Sequence, residues 1–176
     1  IFGETDWVRG VTDQLAAEGF IAVAPDLLSG MGPGGGGTES LGDKATDVIR
    51  TLKDDDAAKR LDAAREYALA LPSASDKSAC IGFCWGGSTS FRYATHQSKL
   101  NAAVVYYGTA PKESDLLKTI ECPVLGCYGG DDARVTATVE PTVKAMSEFK
   151  KSYTHHEYEG AGHGFGSPAI NDMVLA

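Results

Sequence analysis

A thiol, a carboxylate and an imidazole are the groups of this sequence whose types and spacing could carry out nucleophilic chemistry. They belong to Cys84, Asp132 and His163, and each lies beside or within a glycine-rich stretch. A thiol nucleophile needs a base that accepts its proton and a further group that orients the base. The three residues therefore predict covalent catalysis by a Cys-His-Asp triad.

Cys84 lies in a glycine pattern that is typical of a sharp turn between a strand and a helix. It is the third residue of the run Gly-Phe-Cys-Trp-Gly-Gly at residues 82–87, which ends an apolar stretch. Glycines two residues before and after a nucleophile are needed where strained backbone and a close strand–helix approach leave no room for side chains. Gly82 and Gly86 therefore predict such a turn, with the thiol at its tip.

Two adjacent carboxylates could orient the imidazole. Asp131 and Asp132 follow one predicted strand and His163 follows a later one, so the chain order is nucleophile, acid, histidine, as in the α/β-hydrolase fold. Asp132 fits a Gly-x-x-Asp-x-x-Val loop, because it lies three residues after Gly129 and three before Val135. We therefore choose Asp132 and keep Asp131 as the alternative, with a role in capping the loop.

Backbone donors and aromatic side chains complete the predicted site. The N–H of Trp85 directly follows the nucleophile, a position that supplies one oxyanion donor. We expect the second donor from the loop around Ile1 and Phe2, at the backbone of Ile1. We expect an apolar substrate pocket lined by aromatic side chains, namely Phe2, Phe83, Tyr107 and Phe165.

The remaining cysteines and histidines are expected to be structural. Cys80, Cys122 and Cys127 lie within or beside apolar strands, and all thiols are expected to be reduced. A zinc site formed by Cys80, Cys84 and a histidine is disfavoured, because this cysteine spacing belongs to a strand and turn. His155 and His156 are adjacent in a predicted strand and are expected to be surface or structural residues. We expect no metal and no organic cofactor.

Alternating strands and helices must position these groups. Apolar runs predict strands at residues 20–25, 77–83, 102–107, 122–128 and 153–158, and helical spacing predicts helices at residues 5–18, 54–71, 86–96 and 138–149. Glycines make residues 28–41 a predicted flexible loop. The alternation predicts an α/β fold with a mostly parallel sheet and helices on both faces. We expect one domain over residues 1–176, with its first strands before Ile1 and a closing helix that residues 167–176 only begin.

Composition narrows the choice of partners. The net charge is −8 and the isoelectric point is about 4.9, and no basic cluster is present, which argues against nucleic acid or an anionic membrane surface as a partner. No apolar run approaches the length of a membrane span. We expect a small-molecule substrate and a monomer or small homo-oligomer. A cytoplasmic location is expected, and secretion stays open because we expect the true N-terminus to lie before Ile1.

Motifs along almost the whole chain resemble the dienelactone hydrolase family, which has a cysteine nucleophile within the α/β-hydrolase superfamily. They are Ile-Phe-Gly at residues 1–3, Ala-Pro-Asp-Leu at 24–27, Gly-Phe-Cys-Trp-Gly-Gly at 82–87, Tyr-Tyr-Gly at 106–108, Gly-Gly-Asp-Asp at 129–132 and Gly-His-Gly-Phe at 162–165. The resemblance implies hydrolysis of small lactones or carboxylic esters through an acyl-thioenzyme, as in a carboxymethylenebutenolidase. It implies the triad roles for Cys84, His163 and Asp132.

Two departures from the family pattern bear on this expectation. Similar members of the family carry a glutamate directly before Ile-Phe-Gly that contacts the thiol, whereas this sequence starts at Ile1 and Glu4 does not occupy that position. Members that act on dienelactone bind the substrate carboxylate with arginines, one of them shortly after the catalytic histidine. Residues 164–168 contain no arginine, which argues against dienelactone itself as the substrate.

Two other functions stay open at this level. The same triad would serve a hydrolase of thioesters or activated aryl esters. From a different class, the chain could be a thiol-based sensor or binding protein without turnover, whose Cys84 reports oxidation or captures an electrophile.

Overall fold

The computed structural model describes residues 3–165, and the chain separates into two units. The first unit is Ile1–Asp76 and the second is Lys77–Ala176. The expectation of one domain over residues 1–176 stays a prediction. The predicted closing helix at residues 167–176 lies outside the described residues.

Helices account for the regular structure of the first unit. They are α1 (Asp6–Ala17), α2 (Thr38–Leu41), α3 (Ala45–Ile49) and α4 (Asp54–Leu69). Helix α1 begins after Thr5, whose side chain accepts a hydrogen bond from the backbone N–H of Val8. Helix α4 begins with three aspartates, which the positive end of the helix dipole favours. The predicted helices at residues 5–18 and 54–71 are confirmed.

The predicted buried strand at residues 20–25 is wrong. The structure gives this segment no strand pairing, and the side chains of Phe20, Ile21 and Val23 are 65%, 43% and 40% exposed. An apolar run shows only that a segment can be extended, whereas a strand also needs a neighbour that accepts its backbone hydrogen bonds. The four strands among residues 3–165 all lie in the second unit.

The glycine-rich segment at residues 28–41 is more ordered than its composition predicts. The carboxylate of Asp26 accepts hydrogen bonds from the backbone N–H of Leu28 at 3.0 Å, the N–H of Thr38 at 2.7 Å and the hydroxyl of Thr38 at 2.6 Å. A Cβ at Gly37 would overlap this carboxylate, so glycine is required there. Burial raises the pKa of Asp26, but the hydrogen bonds from Thr38 and Leu28 and the charge of Arg60 bring it below its usual value.

A parallel sheet forms the centre of the second unit. Its strands are β1 (Ala79–Phe83), β2 (Ala102–Tyr106), β3 (Val124–Gly129) and β4 (Tyr153–Tyr158), and they lie in this order. The connecting helices are α5 (Trp85–His96), α6 (Ala133–Thr136) and α7 (Val139–Glu148), with a 3-10 helix at Ser114–Thr119 before β3. The expected parallel α/β architecture is confirmed.

One face of this sheet packs against α5. The thiol of Cys80 on β1 lies 3.7 Å from the carbonyl oxygen of Ser90 on α5, and the ring of Phe91 on α5 lies 5.9 Å from that of Tyr153 on β4. The inward side chains of the two central strands are almost fully buried, namely Ala103, Val105 and Val124. Burial of this apolar face fixes the strand register, because a slip by one residue would turn these side chains outward.

Among residues 3–165, no helix combines the length and the apolar character needed to cross a bilayer.

Candidate active site

Cys84 occupies the turn between β1 and α5. Its backbone has φ 56° and ψ −116°, a conformation that non-glycine residues rarely adopt. The N–H of Cys84 donates to the carbonyl oxygen of Tyr106 at 3.0 Å, and its own carbonyl oxygen accepts from the N–H of Ser88 at 3.1 Å. These bonds hold the strained turn between the end of β2 and the first turn of α5.

The glycines around Cys84 allow the helix to approach the sheet. A Cβ at Gly82 would overlap the carbonyl oxygen of Gly86, and a Cβ at Gly87 would lie 2.5 Å from the carbonyl oxygen of Tyr106. A Cβ at Gly86 would meet no other atom within 4 Å. The expectation that Gly86 itself lacks room for a side chain is therefore wrong, because its carbonyl group makes the contact and its Cα faces open space.

The loops after β3 and β4 are joined by their backbones. The N–H of Gly130 donates to the carbonyl oxygen of Tyr158 at 2.8 Å, and the N–H of Asp131 donates to that of Ala161 at 3.0 Å. A Cβ at Gly129 would overlap the carbonyl oxygen of Ala161. This close pairing brings the acidic loop and the histidine loop to the same edge of the sheet, at the carboxyl ends of the strands.

The three candidate catalytic side chains form one hydrogen-bonded chain. The Sγ atom of Cys84 lies 3.0 Å from Nε2 of His163, and Nδ1 of His163 lies 2.6 Å from Oδ2 of Asp132. Asp132 is 7% exposed, whereas the His163 side chain is about one-third exposed. Asp131 is exposed and contributes its backbone N–H to the loop pairing.

The arrangement can move a proton between sulfur and nitrogen. An ionised Asp132 only accepts hydrogen bonds, so it favours the tautomer in which Nδ1 of His163 carries the proton. Nε2 then presents a lone pair to the thiol of Cys84, and proton transfer leaves a thiolate beside an imidazolium. The thiolate is the form of cysteine that attacks electrophilic carbon.

The first residue of α5 is Trp85. Backbone N–H groups in the first turn of a helix lack acceptors within the helix, and the dipole of the helix adds partial positive charge there. When the sulfur of Cys84 attacks a carbonyl carbon, the oxyanion that forms on the carbonyl oxygen would find such a donor beside it. The predicted second donor at Ile1 and the predicted pocket residue Phe2 lie outside the described residues.

The three described pocket candidates lie in one aromatic cluster. The ring of Tyr107 is 5.2 Å from that of His163, 5.3 Å from that of Phe165 and 6.2 Å from that of Phe83. Tyr107 is 2% exposed, and burial, followed by the nearby Cys84 and Tyr106, raises its pKa to about 12. Its hydroxyl therefore stays neutral near neutral pH.

Sequence reasoning missed two members of this aromatic cluster. The ring of Tyr106 lies 5.0 Å from that of Phe83, and the ring of Tyr158 lies 5.1 Å from that of Phe165. Strand periodicity and register could have indicated Tyr106. It pairs with Phe83 across β1 and β2, so the two side chains lie on the same face of the sheet.

The other thiols differ from Cys84 in their surroundings. Burial, and then the neighbouring Cys122, raise the pKa of the Cys80 thiol to about 12, and burial also raises the pKa of Cys122. Cys127 is 2% exposed. In the part of the chain that the structure describes, no three His, Cys, Asp or Glu side chains are grouped so as to hold a metal ion. His155 stacks on Tyr153 at 5.9 Å, and His156 is exposed.

Comparison with known proteins agrees with this architecture. Residues 1–172 match the model of the dienelactone hydrolase family. A carboxymethylenebutenolidase of Pseudomonas sp. (strain P51) is 30% identical over 169 residues, which cover 94% of this chain and 70% of that protein. A crystal structure of a Klebsiella pneumoniae protein assigned as a dienelactone hydrolase is 28% identical, with a TM-score of 0.82 over 93% of this chain and 72% of that one.

The chain is shorter than these relatives. A Yersinia pestis protein assigned as a carboxymethylenebutenolidase is 28% identical over 177 residues, which cover 95% of this chain. The chain spans 66% of the length of that relative, just under two thirds.

Proposed function

The chain belongs to the dienelactone hydrolase family, and from this we propose that it hydrolyses small lactones or carboxylic esters with Cys84 as nucleophile. The observation that carries the proposal is the chain of hydrogen bonds from Cys84 through His163 to Asp132, with distances of 3.0 Å and 2.6 Å. A nucleophile, a base and a group that orients the base are the minimum for acyl transfer through a covalent intermediate.

In the acylation step, Nε2 of His163 takes the proton of the Cys84 thiol, and the sulfur attacks the carbonyl carbon of the substrate. A carbon–sulfur bond forms and the carbonyl electron pair moves to oxygen, which the N–H of Trp85 stabilises. When the tetrahedral intermediate collapses, the bond between carbon and the alkoxy oxygen breaks. The imidazolium of His163 gives its proton to that oxygen, and a thioester on Cys84 remains.

In the deacylation step, His163 takes a proton from water, and the resulting hydroxide attacks the thioester carbon. The carbon–sulfur bond breaks, the carboxylic acid leaves, and the proton returns to sulfur. Asp132 keeps Nδ1 of His163 protonated in both steps and stabilises the imidazolium that forms twice in the cycle. A lactone follows the same route, except that its alkoxy oxygen stays attached to the acyl group.

The residues around the site favour a substrate with a small, uncharged acyl group. The ring of Tyr107 contacts the imidazole, and the half-buried ring of Phe165 packs on Tyr107 and offers apolar surface near the site. The chain carries a net charge of −8, which repels anionic substrates over a distance. Residues 164–168 contain no arginine that could hold a substrate carboxylate.

The test is steady-state hydrolysis of p-nitrophenyl acetate and of dihydrocoumarin, a neutral aryl lactone. We compare the protein with Cys84→Ala and use mass spectrometry to look for an acyl adduct. Sustained turnover of both compounds that disappears in Cys84→Ala supports the proposal. Turnover of p-nitrophenyl acetate alone would restrict the activity to activated aryl esters.

A stable adduct on Cys84 without turnover would overturn the hydrolase and favour a thiol that captures electrophiles. Equal turnover by Cys84→Ala would assign the reaction to another group. Cys122→Ala serves as the matched control, because it also removes a thiol of the second unit but one that lies outside the hydrogen-bonded chain.

A further inference from the structure

Tyr107 has an unusual backbone at the site. Its φ is 40°, and among residues 3–165 the other non-glycine residues with positive φ are Cys84 and Lys150. A left-handed backbone is unfavourable for a residue with a side chain, and it persists only where the surroundings impose it. Two of these three conformations therefore lie beside the candidate active site.

Contacts to the turn that carries Cys84 impose this conformation. The residue before Tyr107 accepts the hydrogen bond from the N–H of Cys84, and Tyr107 itself donates to the carbonyl oxygen of Cys127 at 2.8 Å. A Cβ at Gly108 would overlap the backbone N of Ser88 on α5. The N–H of Thr109 donates to the hydroxyl of Ser88 at 2.8 Å. The backbone of Tyr107 is thus fixed to the elements that position the thiol.

The loop that carries His163 does little to limit the rotation of its imidazole. Its neighbours in sequence are Gly162 and Gly164, which offer no side chains to pack against it. The bond to Asp132 fixes the position of Nδ1, but the ring can still turn about the line that joins Nδ1 to the carboxylate. The Tyr107 ring meets the imidazole edge-on at 5.2 Å and 66°, a geometry that aromatic pairs favour.

We propose that Tyr107 is a positioning residue, whose ring holds the His163 imidazole in the orientation that joins Asp132 to Cys84. The inference rests on the proposed function and adds a specific role for the aromatic ring. The contact between Tyr107 and His163 is a contact between their rings, so we assign the role to the ring of Tyr107. Because its pKa is about 12, this hydroxyl does not act as a base near neutral pH.

Two substitutions separate the ring from the hydroxyl. Tyr107→Phe keeps the ring, and Tyr107→Leu removes it. The readouts are kcat and KM for p-nitrophenyl acetate, the rate constant for alkylation of Cys84 by iodoacetamide, and the thermal midpoint. Tyr93→Leu is the matched control, because Tyr93 is also buried in the second unit and its ring packs on His96 at 6.3 Å, away from the site.

We expect Tyr107→Leu to lower kcat about tenfold and to slow alkylation severalfold, with KM changed by less than about twofold. Tyr107→Phe should stay within about twofold of the wild type in both rates. Tyr93→Leu should lower the thermal midpoint and leave both rates near wild type. If Tyr107→Leu does not fold, Tyr107→Met replaces it under the same criteria, since its flexible side chain refills the space.

Three results would overturn the inference. The first is a folded Tyr107→Leu or Tyr107→Met variant with wild-type kcat and alkylation rate. The second is a Tyr107→Phe variant as slow as Tyr107→Leu, which would give the role to the hydroxyl. The third is an equal loss of both rates in Tyr93→Leu, which would show a general effect of packing. If no variant and no wild type turns over substrate, the proposed function fails, and the alkylation rates still test Tyr107.

Discussion

Asp132 and His163 are 31 residues apart in sequence, yet the carboxylate oxygen of one lies 2.6 Å from the Nδ1 atom of the other. The carboxylate is buried, and the adjacent Asp131 is exposed. Two chemically identical side chains at consecutive positions thus face different surroundings, which makes them a natural pair for comparison.

Replacing each of these carboxylates by an amide should have very different effects. An amide at position 132 can donate a hydrogen bond to Nδ1 of His163, which places the ring proton on Nε2 and blocks proton transfer from Cys84. We expect Asp132→Asn to lower kcat on the order of 10²- to 10⁴-fold and Asp131→Asn to stay within about threefold of wild type. Steady-state hydrolysis of p-nitrophenyl acetate measures both. Similar losses in the two variants would contradict the assignment of Asp132.

Iodoacetamide at about pH 8 should modify Cys84 before the other thiols. The base in contact with Cys84 can take its proton, whereas Cys80 keeps its proton at this pH because burial raises its pKa to about 12. Peptide mass mapping over time gives the rate at each cysteine, and Cys84→Ala should lack the fast phase. Equal rates at Cys80 and Cys84 in the native protein would argue against this difference in environment.

Alanine at Gly82 and alanine at Gly86 should change stability in different ways. The new Cβ at Gly82 overlaps backbone atoms of Gly86, which cannot move without displacing α5, so we expect a loss of about 3 kcal/mol or more in the free energy of unfolding. The new Cβ at Gly86 meets open space in the first turn of α5, so we expect Gly86→Ala to change the free energy of unfolding by less than about 1 kcal/mol. Urea unfolding compares the variants, and a Gly82→Ala variant as stable as wild type would refute the close approach.

Tyr107 should make the protein less stable as the pH rises above about 10. Below the ordinary tyrosine pKa of about 10, this residue is neutral in both the folded and the unfolded chain. Burial raises its pKa to about 12 in the folded state. Between about pH 10 and about pH 12, only the unfolded chain therefore releases the Tyr107 proton. This release stabilises the unfolded state relative to the folded state. Between about pH 9 and about pH 11, the free energy of unfolding should decrease more in wild type than in Tyr107→Phe. Equal slopes would contradict the raised pKa.

Local patterns predicted the elements around the site well. The alternating segment at residues 153–158 matches the bounds of β4, Tyr153–Tyr158, and the glycines around Cys84 indicated the turn between β1 and α5. Both patterns depend on residues that are close in sequence. Alternation reflects the two faces of one strand, and the glycine spacing reflects the backbone of one turn. Such interactions can be inferred from spacing alone.

Interactions between distant residues explain what the sequence did not predict. The apolar run at residues 20–25 contains no information about whether a partner strand is available, and the structure leaves Phe20 exposed. Asp26 orders the glycine-rich segment through Thr38, which is 12 residues away. The overlap that makes Gly37 obligatory also depends on that carboxylate. Composition alone could not predict either contact.

The hydrogen bond between Cys84 and His163 joins residues 79 positions apart, at the ends of β1 and β4, which are the outer strands of the sheet within residues 3–165. Both partners lie at their correct distance only after β2 and β3 have paired between them, and parallel pairing of this kind comes late because long loops must close first. The reactivity of the Cys84 thiol should therefore report on the refolding of the second unit. The rate of its reaction with an electrophile should reach the native value only when the last strand has docked.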